Sequence, residues 1–191
     1  MSDYWSYRHY SDIANKKLEA IGFGLAQQLE ESGYKAYIPP GGLADREKLM
    51  SFFSHKIAAN LSGLGWIGKN NMVINPDYGP RLSFATVLTD APLPATGQAL
   101  KDGCGECREC VDICPPHSYT GIVFDSAQPR EARYNAHLCE SYCQGQLKAL
   151  GVKDMQASGH VCGLCLYVCP FGRKNQAEER QNRKQQQIEW M

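Results

Sequence analysis

The chain has 191 residues, 43% of them hydrophobic, and its 20 basic and 20 acidic side chains leave no net formal charge. That length suits one or two small domains with a real core, and the balanced charge gives no overall attraction to nucleic acid or an anionic membrane. No apolar run reaches the roughly 20 residues that span a bilayer and no secretory signal opens the sequence, so a cytoplasmic protein without a membrane partner is expected.

From Tyr4 to Ser32, Ala14, Leu18, Ile21, Leu25 and Leu29 recur at three- and four-residue steps, the spacing of an amphipathic helix. Gly33 is a natural stop for it. Tyr34–Ile38 is short and β-favouring, and Pro39-Pro40-Gly41-Gly42 ends it. Asp45 is expected to cap a second helix that buries Leu49, Phe52, Phe53, Ile57 and Leu61. Met72–Ile74 and Leu82–Leu88 read as strands of one hairpin across the turn-rich Asn75-Pro76-Asp77-Tyr78-Gly79-Pro80. Pro92 and Pro94 then mark a boundary.

Between the second helix and the hairpin lies Gly63-Leu64-Gly65-Trp66-Ile67-Gly68-Lys69-Asn70. It contains both G-x-G-x-x-G and most of a phosphate-binding P-loop, and both motifs need a strand before the glycines and a helix after them. The order predicted here is the reverse, and Asn70 stands where a hydroxyl would hold magnesium. Both readings are therefore set aside.

All nine cysteines lie beyond residue 103. Cys104-x2-Cys107-x2-Cys110-x3-Cys114-Pro115 has the spacing by which bacterial ferredoxins hold 4Fe–4S clusters: three thiolates converge on one cubane and the fourth points to a second. Cys162-x2-Cys165-x3-Cys169-Pro170 repeats it without its first cysteine, since Gly159 stands in that place. Crossing over assigns Cys104, Cys107, Cys110 and Cys169 to one cluster and Cys114, Cys162 and Cys165 to the other. The eighth ligand is then Cys139 or Cys143. Cysteine at about 5% of the chain falls short of the roughly 8–10% of a disulfide scaffold. Zinc is the stronger competitor, but its sites generally use two pairs of ligands rather than three evenly spaced thiols and a Cys-Pro. His9, His55, His117, His137 and His160 keep no metal-ligand spacing and read as surface or core histidines.

The segment Leu64–Asn70, with Ile74-Asn75-Pro76 and Leu88-Thr89-Asp90-Ala91-Pro92-Leu93, resembles the core of the epoxyqueuosine reductases, in which a two-cluster ferredoxin module follows as it does here. The resemblance runs from about Arg8 to Pro170. It implies that Cys139, in His137-Leu138-Cys139-Glu140-Ser141-Tyr142, is the eighth ligand and leaves Cys143 spare. These reductases and the related reductive dehalogenases also bind cobalamin beside one cluster, which implies a corrinoid neighbourhood at Gly65, Trp66, Gly68, Lys69 and Asn70.

The sequence departs from the family at three points. The family's N-terminal domain is longer. Its acidic proton donor follows the strand matching Tyr34–Ile38, where this chain has Pro39-Pro40-Gly41-Gly42 and the nearest carboxylate is Asp45. The helical repeats that end many members give way to a polar tail that carries Arg173, Lys174, Arg180, Arg183 and Lys184.

The expectation is an α+β fold. A small α/β part (1–95) precedes a ferredoxin-like double-cluster module (96–172) and a polar tail (173–191). The leading function is an iron–sulfur redox protein passing electrons to a corrinoid or to a corrinoid-binding partner. The alternatives are a cobalamin-dependent, epoxyqueuosine reductase-like enzyme, or a binding module stapled by structural clusters. A redox partner protein is expected, and tRNA is a less favoured partner.

Overall fold

The computed structural model describes residues 4–42, 45–152 and 162–173. Helix α1 (Tyr4–Glu31) stops where expected: Gly33 takes a positive φ of 88° and its N–H returns to the Glu30 carbonyl, while the N–H of Tyr34 reaches Leu29. The buried face of the helix is not the one the spacing suggested. Gly22 and Ala26 are buried between half-buried Leu18 and Leu29, whereas Ala14, Ile21 and Leu25 are exposed. Small residues win this face because strand β1 (Ala36–Tyr37) and Ile38 lie close against it, with Ile38 packed over Gly22. Strand β1 pairs antiparallel with β4 (Leu88–Thr89), so Ala36 faces Thr89.

Two further expectations fail. Asp45 caps no helix. Its carboxylate accepts from the Lys48 N–H in a tight turn closed by the Asp45–Met50 bridge, and α2 (His55–Leu61) begins ten residues later under Ser54, whose hydroxyl accepts from Ile57. Asp45 and Ser54 are equally good caps. The choice falls to packing, which seats Ala59 and Asn60 against the strand that follows.

The expected hairpin from Met72 to Leu88 does not form either. Strand β3 (Val73–Ile74) pairs with β2 (Trp66–Ile67) in the register Trp66–Ile74, and β4 goes to β1. The glycine-rich segment is therefore itself a hairpin, entered from α2 and left through β3. Its tight turn is closed by the Gly68 N–H on Met72 and by Asn71 at φ 57°. The Asn75–Pro80 turn closes on itself through an Asn75–Gly79 bridge.

The second half carries short helices after its cysteine turns, as the spacing predicts: α3 (Glu109–Asp112) and α5 (Leu164–Tyr167), packed against each other. A 3-10 turn (Arg130–Ala132) leads to α4 (Ala136–Ala149), capped by Asn135 and anchored by fully buried Leu147. The core crosses residue 95, because Trp66 and Ile74 pack with Cys169, Cys104 and Phe171. Gly159, His160 and the tail from Lys174 onward lie outside the described residues. Among the described residues, no helix is long and apolar enough to cross a membrane.

Candidate functional site

The cysteine turns are held from below by the β2–β3 hairpin. Lys69 is buried, and its ammonium donates to the Gly105 carbonyl at 2.6 Å and the Cys107 carbonyl at 3.1 Å, both within the first cysteine turn. The Trp66 indole N–H donates to Cys104 Sγ at 3.4 Å, and the backbone N–H of Lys69 reaches the same sulfur. Asn70 donates to the Cys165 carbonyl at 3.1 Å. Arg81 ties down the other end, with its guanidinium donating to the carbonyls of Leu166 and Phe171 on either side of Cys169. One hairpin thus grips both cysteine turns, which are remote in sequence from it and from each other.

This architecture brings Cys104, Cys107, Cys110 and Cys169 to the wall of one small cavity, which Ile74 and Phe171 also line. Burial pushes the Cys110 thiol up to about 12, and the fields of Cys104, Cys165, Cys107 and Cys169 add to it. Cys169 is likewise raised by burial, against the Phe171 N–H and the Arg81 charge, which favour its thiolate.

A second set gathers beside the first. Burial raises Cys165, and Cys139, Cys162 and Cys114 lie close enough to raise it further. Cys139 behaves oppositely: its close neighbour Cys143, and with it Tyr134, lower it against the effect of burial. Cys143 is buried, is raised by its neighbour Cys139 and by burial, and also senses Cys162. The geometry brings both Cys139 and Cys143 to this set.

The donors are therefore sulfur alone, in two adjacent groups. Soft thiolates select iron–sulfur clusters, zinc or copper(I). Among the described residues, no group of three or more His, Cys, Asp or Glu side chains forms a metal-ion site. The first group lines one cavity, and the chemistry of its thiols is that of a cluster's ligands.

The corrinoid expectation finds no such support. A Cβ on Gly65 would run into the Ile74 backbone, and one on Gly68 would meet the Ile74 side chain at 2.7 Å, so these glycines admit the chain's own strand rather than a ligand. Lys69 and Asn70 are buried and already bonded. Trp66 is buried edge-to-face against Phe171, ring centroids 4.8 Å apart, which is a packing role. On its other side Trp66 borders an open cleft of about 960 Å3, together with Ile67, Leu100, Phe124, Asp102 and Asp125.

Several contributors carried no signal in the sequence. Tyr119 donates its hydroxyl to Cys165 Sγ at 3.3 Å, the Ser118 N–H reaches Cys114 Sγ at 3.4 Å, and Lys56 donates to the Asn71 carbonyl near Cys165. No motif relates these residues to the cysteines, because the contacts are made across the fold. Of the histidines, His55 bonds Thr86 and stays apart from the thiols, as expected of a structural residue.

Fold and site together define a class: a mixed helix-and-strand chain whose cysteine turns come together, four of their thiols lining one cavity. Within that class the chain resembles the epoxyqueuosine reductases. It is 27% identical over 177 residues to the enzyme of Pseudomonas aeruginosa, covering 91% of this chain and 44% of that protein. It is 33% identical over 168 residues to that of a Synechococcus species, covering 88% of this chain and 48% of the other. Among solved structures, epoxyqueuosine reductase from Bacillus subtilis superposes with a TM-score of 0.54 at 22% identity, over 86% of this chain and 39% of that one. An epoxyqueuosine reductase with an epoxyqueuosine-modified tRNA stem loop superposes with a TM-score of 0.55 at 21% identity, over the same shares. At these identities the structures establish a shared fold. The chain spans about half the length of the curated relatives it matches. No family profile matches it.

Proposed function

We propose that the chain is an iron–sulfur oxidoreductase of the epoxyqueuosine reductase type, with the modified nucleoside of a tRNA stem loop as its substrate class. The observation that carries the metal reading is that four thiols from two distant turns line one cavity. In this reading Cys104, Cys107, Cys110 and Cys169 hold one 4Fe–4S cluster and Cys114, Cys139, Cys162 and Cys165 hold the other. Residues 1–95 serve as the cradle and 96–172 as the cluster module. The mutual raising of the thiols supports it as well: thiolates packed this closely repel unless a cationic centre neutralises them, and a coordinating thiol is deprotonated outright.

The leading expectation is an iron–sulfur protein passing electrons to a corrinoid or to a corrinoid-binding partner, and the alternative is a cobalamin-dependent, epoxyqueuosine reductase-like enzyme. The relatives support the alternative better. When bound, the clusters supply one-electron carriers; the rest of the work falls to the chain. Removing an epoxide oxygen as water takes two electrons and two protons. The cleft beside Trp66 is where the acceptor approaches, since the indole spans from that opening to Cys104. Ile67, Leu100 and Phe124 give the cleft an apolar wall, and Asp102 and Asp125 are the carboxylates on it that can pass protons. They take the place of the proton donor that Pro39-Pro40-Gly41-Gly42 lacks.

The test is anaerobic. Purified protein should carry about eight irons and eight sulfides per chain, two cubanes' worth. With a strong reductant, and with and without added cobalamin, it should convert epoxyqueuosine in a stem loop. Full iron without turnover in either condition would leave an electron carrier; zinc in place of iron would end the metal reading as well.

A further inference from the structure

The second thiol set is bordered by a stacked pair of tyrosine rings, where the first set has Trp66 edge-to-face on Phe171. A short backbone bridge pairs Tyr119 directly with Tyr134, secured by the Thr120 N–H on Arg133 and the Asn135 N–H on Ser118. Directly opposed residues on a bridge point their side chains the same way. The two rings accordingly stack, with centroids 5.2 Å apart and planes inclined by 19°. The stack packs against Cys114, Cys110 and Cys165, and one of its phenols ends on sulfur. Tyr119 donates to Cys165 Sγ at 3.3 Å, and Tyr134 stacks on the Tyr119 ring that carries this hydroxyl. Tyr119 is buried, and a buried hydroxyl requires a partner. Sulfur is that partner.

We propose that the stacked pair Tyr119–Tyr134 is a positioning and potential-setting element for the cluster held by the second thiol set. The proposal rests on the iron–sulfur reading of that set. Adding an electron to a cluster makes its ligand sulfurs more negative, and a hydroxyl aimed at a sulfur stabilises that state more than the oxidised one. Hydrogen bonds to the sulfurs are among the determinants of cluster potential. An O–H donor that the stack holds on Cys165 therefore raises the reduction potential of this cluster. The first set is served differently, by the indole N–H of Trp66 and by backbone N–H groups, so the two clusters can be tuned independently. Lys56, near Cys165 and flanked by Arg130 and Arg133, adds positive charge on the same side.

Tyr119→Phe and Tyr134→Phe keep both rings and the stack while removing one hydroxyl each, so packing and electrostatics separate. Redox titration of the full-length, iron-loaded protein under anaerobic conditions, followed by electron paramagnetic resonance, reads both midpoints. Both variants should retain full iron; Tyr119→Phe should shift one midpoint downward and leave the other in place, whereas Tyr134→Phe, which keeps the stack and the Tyr119 donor, should leave both in place. Unchanged midpoints in Tyr119→Phe at full iron would overturn the proposal, as would equal shifts of both clusters. Loss of the second cluster in both variants would also overturn it, by making the hydroxyls purely structural. A wild-type protein without iron would instead remove the iron–sulfur reading beneath it.

Discussion

The two thiol sets draw on related cysteine runs, one complete and one lacking its first cysteine, yet they are held by different chemistry. The first is cradled by the β2–β3 hairpin, with a buried ammonium on its turn carbonyls and an indole N–H on Cys104, and by the Arg81 guanidinium behind Cys169. The second takes only Asn70 from that hairpin, on the Cys165 carbonyl, and otherwise meets groups from across the chain, the Tyr119 hydroxyl on Cys165 and a backbone N–H on Cys114. The first is a rigid socket. The second is a packed interface whose donors can be exchanged without disturbing the backbone. A cysteine motif therefore specifies ligands, while the surrounding donors decide how alike two such centres are.

The largest effects should come from breaking that pairing outright. Cys169→Ser and Cys165→Ser lie on one short helix and its exit, yet they should cost different clusters. Each should lower the iron from about eight to about four per chain, with the surviving electron paramagnetic resonance signal differing between the two. Identical residual signals would refute the crossover. Cys139→Ser should behave like Cys165→Ser, whereas Cys143→Ser should leave the iron count unchanged; the opposite result would place the eighth ligand one helical turn later.

Next in size is the socket itself. Lys69→Met leaves the carbonyls of Gly105 and Cys107 without their donor, a loss of about 3 kcal/mol, readable as a lower denaturation midpoint of the holoprotein with the first cluster lost first. Simultaneous loss of both clusters would show that the socket is not confined to one set. Gly79→Ala acts through the same wall: Gly79 has a φ of 64°, and a methyl there would meet the Phe171 carbonyl next to Cys169. It should destabilise the fold where the equivalent change at solvent-facing Gly24 does not.

A finer probe is Trp66→Phe. It keeps an aromatic ring beside Phe171 but removes the donor to Cys104, so the first cluster's midpoint should fall while the second's stays. That is the mirror image of Tyr119→Phe, and a shift in the second midpoint would undo the comparison. The smallest effect belongs to Ser54→Ala, which removes the α2 cap for about 1 kcal/mol. It should lower thermal stability slightly with iron content and both midpoints untouched.

Some of this was legible in the residues. The cysteine spacing could be read because a cubane demands thiolates at fixed steps along a tight turn, a local constraint, and the four cysteines it grouped first, Cys104, Cys107, Cys110 and Cys169, line one cavity. Gly33 ended α1 and short helices followed the cysteine turns for equally local reasons. The glycine-rich segment could be denied a nucleotide role because the helix before it and the strand after it were readable. What the residues could not specify was partnership. The choice between Asp45 and Ser54 as a cap, the pairing of β3 with β2 and of β4 with β1, and the burial of Gly22 and Ala26 in place of Ile21 depend on which surfaces meet, and local propensity is silent on that. The same holds for the site. Trp66, Lys69 and Asn70 drew attention as a cofactor platform, and only the tertiary structure turned them inward to grip the cysteine turns. Tyr119 and Tyr134 carried no mark at all, since a hydroxyl becomes a sulfur donor only when a bridge between distant segments sets it there.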